Sequence, residues 1–167
     1  GEVRTRSGIP SALNQQIVDA AEGFLSDERL DGDLALALTN SDHGVGATLA
    51  GQIARAGTAS DDAIFDIKAT GFAGQGFGFG ATRGMSLRLE GYANDTVGEI
   101  MGENARIVIV PPRSQTPDDH PHLVGNAAAY GATGGTLFVA GRCGQRFGVR
   151  NSMATLVCEG VGKYAFE

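Results

Sequence analysis

Five short stretches of the chain alternate apolar and polar positions, and each closes on Gly or Pro. Ile67 to Thr70 ends at Gly71, Leu87 to Glu90 at Gly91, Ile107 to Val110 at Pro111, Leu137 to Ala140 at Gly141, and Leu156 to Glu159 at Gly160. Such alternation predicts strands of about four to six residues with one buried face. The closing positions are 20, 20, 30 and 19 residues apart, and the long interval holds a polar insertion, Pro112 to Leu123. A fixed period of this size signals stacked repeats. Seven residues beyond a closing Gly, a second Gly follows an apolar residue, as in Phe77-Gly78, Val97-Gly98 and Phe147-Gly148. Restarting the count at Val124 gives Tyr130-Gly131, and restarting at Thr39 gives Val45-Gly46. Leu34 to Leu38 is strand-like but one residue out of register, so the first repeat is expected to be irregular.

The pattern predicts an all-β fold, a parallel β-helix of about 20 residues per coil. Each coil would carry two short strands, with glycines at the corners where positive φ is needed. Gly46, Gly71, Gly74, Gly76, Gly78, Gly91, Gly98, Gly131, Gly141, Gly148 and Gly160 are assigned that structural role. Inward positions would be Ile67/Ala69, Leu87/Leu89, Ile107/Ile109, Leu137/Val139 and Leu156/Cys158, like stacking on like. An antiparallel sandwich of short strands is the competing architecture. It does not explain why strand and Gly recur in one register.

The other face changes character along the chain. Lys68/Thr70 and Arg88/Glu90 are polar, whereas Val108, Val110, Phe138, Ala140 and Val157 form an apolar stripe that needs a cover. One in-chain candidate is a helix opened by Pro10 or Ser11, with Leu13, Ile17, Ala20, Ala21 and Phe24 on one side. The other is a partner protein, expected on Val108, Val110, Phe138 and Val157 rather than on the Arg88/Glu90 face. A second short helix is predicted over Thr48 to Ala56. The expected organisation is an N-terminal arm and helix over 1–33 and the repeat domain over 34–167.

Composition narrows the chemistry. Gly makes up 26 of 167 residues, but with only 5 Pro and no G-X-Y period the chain is neither linker nor collagen. At 42% hydrophobic it has material for a core. A net charge of −6 and a pI near 5.0 argue against nucleic acid or an anionic membrane as the main partner. No apolar run is long enough to span a bilayer. The first ten residues show no leader, and a cytoplasmic setting is expected. Cys143 and Cys158 are too few for a disulfide framework and look like small packing residues.

Candidate sites are sparse. The string Gly74 to Gly80 formally contains a dinucleotide fingerprint, but the next segment, Gly84 to Gly91, has a strand pattern and not a helical one. A small-molecule sensor at this string is an alternative, tested by thermal shift. His120 and His122, beside Asp118 and Asp119, could be metal ligands of a β-helix enzyme. His43 has no spacing that links it to them. Asn94, Asp95 and Asn151 near Gly positions suggest turn capping or an Asn ladder. No Ser/His/Asp arrangement or P-loop is present, and no catalytic residue is assigned.

The ordered strings Thr39 to Gly46, Leu49 to Arg55, Gly71 to Gly78, Leu87 to Asp95 with Val97-Gly98, Gly131 to Gly135, Ala140 to Arg142, Arg146-Phe147, Val149 to Ser152 and Val161-Gly162 resemble one known family. It is the C-terminal GXGXG domain of the glutamate synthase large subunit, and the resemblance covers about Leu34 to the end. It implies a single-stranded right-handed parallel β-helix with a non-catalytic role. In that family ammonia is released by a class II amidotransferase domain and used at an FMN-binding barrel beside an iron–sulfur cluster. The resemblance implies that FMN and the cluster are held by partner subunits and that this chain holds no cofactor. It also implies a free-standing scaffold subunit of a hetero-oligomeric enzyme making glutamate or N-methylglutamate. A formylmethanofuran dehydrogenase-like complex is a more distant alternative. The chain ends at Glu167 inside what the period makes another coil, an open end expected to invite association.

Overall fold

Ser11 opens the first helix as expected. Its hydroxyl accepts from the Asn14 N–H, capping α1 (Ala12–Ala20), and a single further turn, α2 (Glu22–Leu25), follows. After β1 (Gly32–Leu38), helix α3 (Ala47–Ala56) is bracketed by Gly46 and Gly57, both left-handed. The strands continue as β2 (Phe65–Ala73), β3 (Met85–Ala93), β4 (Arg106–Val110), β5 (His122–Val124), β6 (Thr136–Cys143) and β7 (Thr155–Gly160). The computed structural model describes residues 10–26, 30–57, 63–114 and 120–167. Asp118 and Asp119 lie outside the described residues, as does part of the insertion.

Every strand pair is parallel. Two unbroken columns cross the sheet, Leu34–Ile67–Leu87–Ile107–Leu137–Leu156 and Leu36–Ala69–Leu89–Ile109–Val139–Cys158. These are the expected inward ladders, extended onto β1. From Ile67 to Val139 they are almost wholly buried, and Leu156 and Cys158 are half-buried. The irregularity of the first repeat lies after β1 and not within it. Leu38 stands opposite Gly71, but Gly46 follows 8 residues later against 7 from Gly71 to Gly78.

The expected all-β, single-stranded right-handed β-helix is corrected. β3 pairs with β4 along one half and with β5 at Ala93, and both β4 and β5 pair with β6. Four parallel strands therefore close into a barrel within a seven-stranded sheet, and with three helices among the described residues the fold is α/β. The cause is local. β2, β3 and β6 do not stop at Gly71, Gly91 and Gly141 but run on to Ala73, Ala93 and Cys143. β4 stops at Val110, and the chain re-enters after the insertion as β5, against the far ends of β3 and β6.

The second strand expected in each repeat is absent as well. These segments are arcs in which every second residue has positive φ: Gly44 and Gly46; Gly76, Gly78 and Gly80; Thr96, Gly98 and Ile100; Ala127, Ala129 and Gly131; Arg146, Gly148 and Arg150. The N–H groups of these positive-φ residues reach layers on both sides of the arc. Gly98 donates back to Phe77 O, while Thr96 and Ile100 donate forward to Asn126 O and Tyr130 O. Left-handed backbone costs a non-Gly residue about 1–2 kcal/mol, and here hydrogen bonds to layers on both sides hold it in place.

This bonding also corrects one alignment. Gly98 binds Phe77 O, Ala129 binds Val97 O, and Gly148 binds Ala128 O. Ala129 is therefore the counterpart of Gly98 and Gly148, and Gly131 falls two positions later. Val124 pairs with Cys143 and Ala93, so it is not the start of a count that begins at Gly91.

α1 packs on α3 and β1. It does not cover the stripe from Val108 to Val157 as expected. It closes the β1 end of the stack, where Phe24 lies 6.0 Å from Phe65. There the side-chain amide of Asn14 stands in for a missing layer of backbone. Its Nδ2 donates to Gly44 O at 2.9 Å, and its Oδ1 accepts from Gly46 N–H at 3.0 Å. Asn14 is the one buried polar residue of the described core.

Candidate functional site

The glycine string forms no phosphate cradle. Gly74 N–H donates to Asp42 O, Gly76 to Asp95 O, Gly78 to Val45 O and Gly80 to Glu99 O, at 2.9–3.0 Å. An anion-binding Gly loop works by presenting free amides, and these four are used between layers. His43 belongs to the same packing, since its Nδ1 accepts from Gln75 N–H at 3.0 Å. A Cβ added at Gly74 would sit 2.5 Å from that nitrogen, so the glycine is required by close approach. Of the other assigned glycines, Gly46, Gly76, Gly78, Gly98, Gly131 and Gly148 take positive φ in the arcs. Gly71, Gly91 and Gly141 lie inside strands, and Gly160 ends β7.

The polar corner suggested by Asn94 and Asp95 is a chain of bonds made by side chains, one to another side chain and two to backbone. Asn94 Nδ2 reaches Asn40 Oδ1 at 3.4 Å, Asp95 Oδ1 accepts from Asn126 N–H at 2.7 Å, and Asn126 Oδ1 accepts from Gln145 N–H at 2.8 Å. Asn151 closes its own turn against Ala154 in both directions. These groups fix layers, and Asn94 and Asn126 also line an open cleft beside Phe72 and Tyr92.

The metal alternative finds little. His120 Nδ1 lies 2.9 Å from Glu159 Oε2, and His122 is an exposed residue at the start of β5. Among the described residues no group of three His, Cys, Asp or Glu is placed to hold an ion.

Cys143 is fully buried, and both cysteines are free thiols. Burial first, then the neighbouring Cys158, pushes the Cys143 thiol well above its ordinary range. The folded chain keeps a proton that the unfolded chain begins to lose near pH 8.5. The stabilisation is thus complete below that pH and declines above it, by about 1.4 kcal/mol per pH unit. We expect the stability gap between wild type and Cys143→Ala, from urea unfolding, to narrow or reverse between pH 7 and pH 10. A constant gap would contradict this.

The outward face is where open surface collects. One row runs across five strands, Lys68 on β2, Arg88 on β3, Val108 on β4, Phe138 on β6 and Val157 on β7, each opposite the next. Lys68, Arg88, Phe138 and Val157 are exposed, and Val108 is half-buried. Val110, one position further along the same face of β4, is also half-buried. The charged and apolar positions that the sequence suggested were separate faces are therefore neighbours in one row. Around Lys68, Arg88 and Arg106 the face hollows into a cleft of about 780 Å³. Lys68 pairs with Asp33 at 3.2 Å, and Arg88 and Arg106 have no acidic partner among the described residues. The sequence showed the stripe. It did not show Asn14, whose signal was a polar residue on the apolar side of an otherwise regular helix.

No helix among the described residues is long and apolar enough to cross a membrane. The model of the GXGXG motif family matches residues 14–167. The chain is 43% identical to the ferredoxin-dependent glutamate synthase of Pyropia yezoensis over 132 residues, 78% of this chain and 8% of that protein. It is 39% identical to the NADH glutamate synthase of Saccharomyces cerevisiae over 165 residues, 95% of this chain and 8% of that protein. Identity to the chloroplastic ferredoxin-dependent glutamate synthase 2 of Arabidopsis thaliana is 43% over 135 residues, 79% of this chain and again 8% of the relative. The chain therefore spans less than a tenth of the length of these curated relatives.

Proposed function

The chain belongs to the GXGXG motif family, represented by the C-terminal region of the glutamate synthase large subunit, and from that premise we infer that it is a scaffold element of a glutamate synthase-type enzyme. It would hold a class II amidotransferase-like component and an FMN-barrel component in place, as a subunit or a domain. The observation that carries this reading is the outward row, an apolar ridge at Val108, Phe138 and Val157 that none of the helices among the described residues covers. Contiguous apolar surface of this kind marks protein contacts. The interior supports the same reading, because the glycine amides, the Asn corner and both cysteines serve packing between layers. Two thiols, one fully buried, do not match the cysteine set of an iron–sulfur cluster. The cluster and the flavin are assigned to the partner components, which would carry the redox chemistry.

Co-purification with the two components tests the proposal. Phe138→Ala combined with Val157→Ala is expected to weaken assembly about tenfold or more, the scale of losing a buried apolar anchor. Asp19→Ala on the exposed side of α1 should leave it unchanged. A wild-type chain that remains a monomer with both components present would refute the scaffold reading.

A further inference from the structure

Where charge and apolar surface meet in one row, the surface describes its partner. We propose that the row Lys68–Arg88–Val108–Phe138–Val157 is a docking surface for an amphipathic helix of a partner protein, with carboxylates over β2 and β3 and apolar residues over β4, β6 and β7. The inference rests on the scaffold reading and names the chemistry of the partner.

Geometry argues for a helix that crosses the strands. Neighbouring strands are about 4.8 Å apart, so the five positions span about 19 Å. A helix advances about 5.4 Å per turn, which brings one side chain per turn over each successive strand. An extended segment crossing the strands would place a side chain on the same face only about every 6.6 Å and would lose register within three strands.

Charge selects the sign. The chain carries net charge −6, yet four cations, Lys68, Arg83, Arg88 and Arg106, line this cleft against one carboxylate, Asp66. Arg88 and Arg106, on adjacent strands of the same face, lack acidic partners among the described residues. Guanidinium groups favour carboxylates in forked geometry. The exposed Lys68–Asp33 pair costs little to exchange. A small anion is the weaker occupant, because the only buried polar side chain of the described core is Asn14, at the β1 end of the stack and not among the residues lining the cleft. A nucleic acid would be held by four cations on a strongly acidic protein and would gain nothing from Phe138 and Val157.

The test uses the whole chain and fluorescence anisotropy. The probe is a labelled 18-residue helical peptide with Glu at two successive turns followed by Leu at the next three. Its counterpart has Lys in place of Glu. The acidic peptide is expected to bind at least tenfold more tightly, and Arg88→Glu with Arg106→Glu should reverse the preference. Phe138→Ala should weaken both peptides about tenfold, and Arg88→Ala serves as a second variant if the double variant unfolds. Equal binding of the two peptides, no binding, or tighter binding of pyrophosphate or a 12-nucleotide single strand would overturn the proposal. Dimerisation lost in Arg88→Glu would place a second copy there and overturn it too. If the native assembly forms and the double variant leaves it intact, this inference fails while the scaffold reading stands. If no assembly forms, the scaffold reading fails and the peptide preference still decides the docking chemistry.

Discussion

Gly91→Ala is expected to lose at least about 4 kcal/mol, most of the stability of a marginal domain. Leu38, Gly71 and Gly91 stand opposite one another on β1, β2 and β3. At Gly91 φ is +154°, and a Cβ there would overlap Gly71 O. The overlap is with backbone, so no rotamer change relieves it. Either β3 lifts away from β2, breaking the columns through Leu87 and Leu89, or the register slips and moves core residues to the surface. Losses above about 4 kcal/mol are uncommon for one substitution and approach the whole stability of a typical domain. Gly51→Ala is the control. It lies in α3 with nothing within 4 Å of an added Cβ, and it should gain about 0.5–1 kcal/mol. Circular dichroism with urea unfolding measures both, and a Gly91→Ala protein melting within a few degrees of wild type would show that the layers separate more easily than this geometry allows.

The same close approach explains what the sequence could and could not reveal about the fold. The period of 20 and the inward ladder were legible because stacked layers make the same demand at the same position, as at Ile67, Leu87 and Ile107. Gly71 and Gly91 were visible as repeated residues, but their reason was not. A glycine needed for φ at a corner and one needed to clear a carbonyl inside a strand look alike in sequence. Strand ends were therefore set two residues early at Ala73, Ala93 and Cys143, and the closure of the barrel through β5 stayed hidden. The arcs were missed for a related reason. Spacing by two suggests alternation of faces in a strand, whereas Gly76, Gly78 and Gly80 are all left-handed, each separated from the next by one residue that is not. Ala127, Ala129, Arg146 and Arg150 take the same conformation with no glycine to signal it.

The candidate surface was half legible. Val108, Val110, Phe138 and Val157 stood out because apolar residues on an outward face are unexpected. Arg88 was set apart from them, since composition along one strand does not show which residue lies opposite on the next. Only the register puts Arg88 beside Val108 and Val108 beside Phe138. The continuity of that row, and not any one residue in it, is what specifies a partner.

Asn14 gives the sharpest test of how the β1 end is closed. Asn14→Leu would leave the buried Gly46 N–H without its partner, which costs about 1–3 kcal/mol, and would take one of two donors from Gly44 O, which keeps the Ala47 N–H. A loss of about 2 kcal/mol, independent of pH, is expected. Asn14→Asp separates the two bonds. A neutral carboxyl accepts from Gly46 N–H through one oxygen and donates to Gly44 O through the other, reproducing both contacts. The ionised form keeps the first and sets a buried negative charge against a carbonyl 2.9 Å away. The folded pKa of that carboxyl must lie above the unfolded value near 3.9. Its stabilisation is then complete below that unfolded value and lost as pH rises through the folded one. Urea unfolding should find Asn14→Asp within about 1 kcal/mol of wild type near pH 3.5 and about 3 kcal/mol weaker at pH 7. If the Asp variant instead tracked the Leu variant at every pH, water and not the side-chain amide would be closing the first layer.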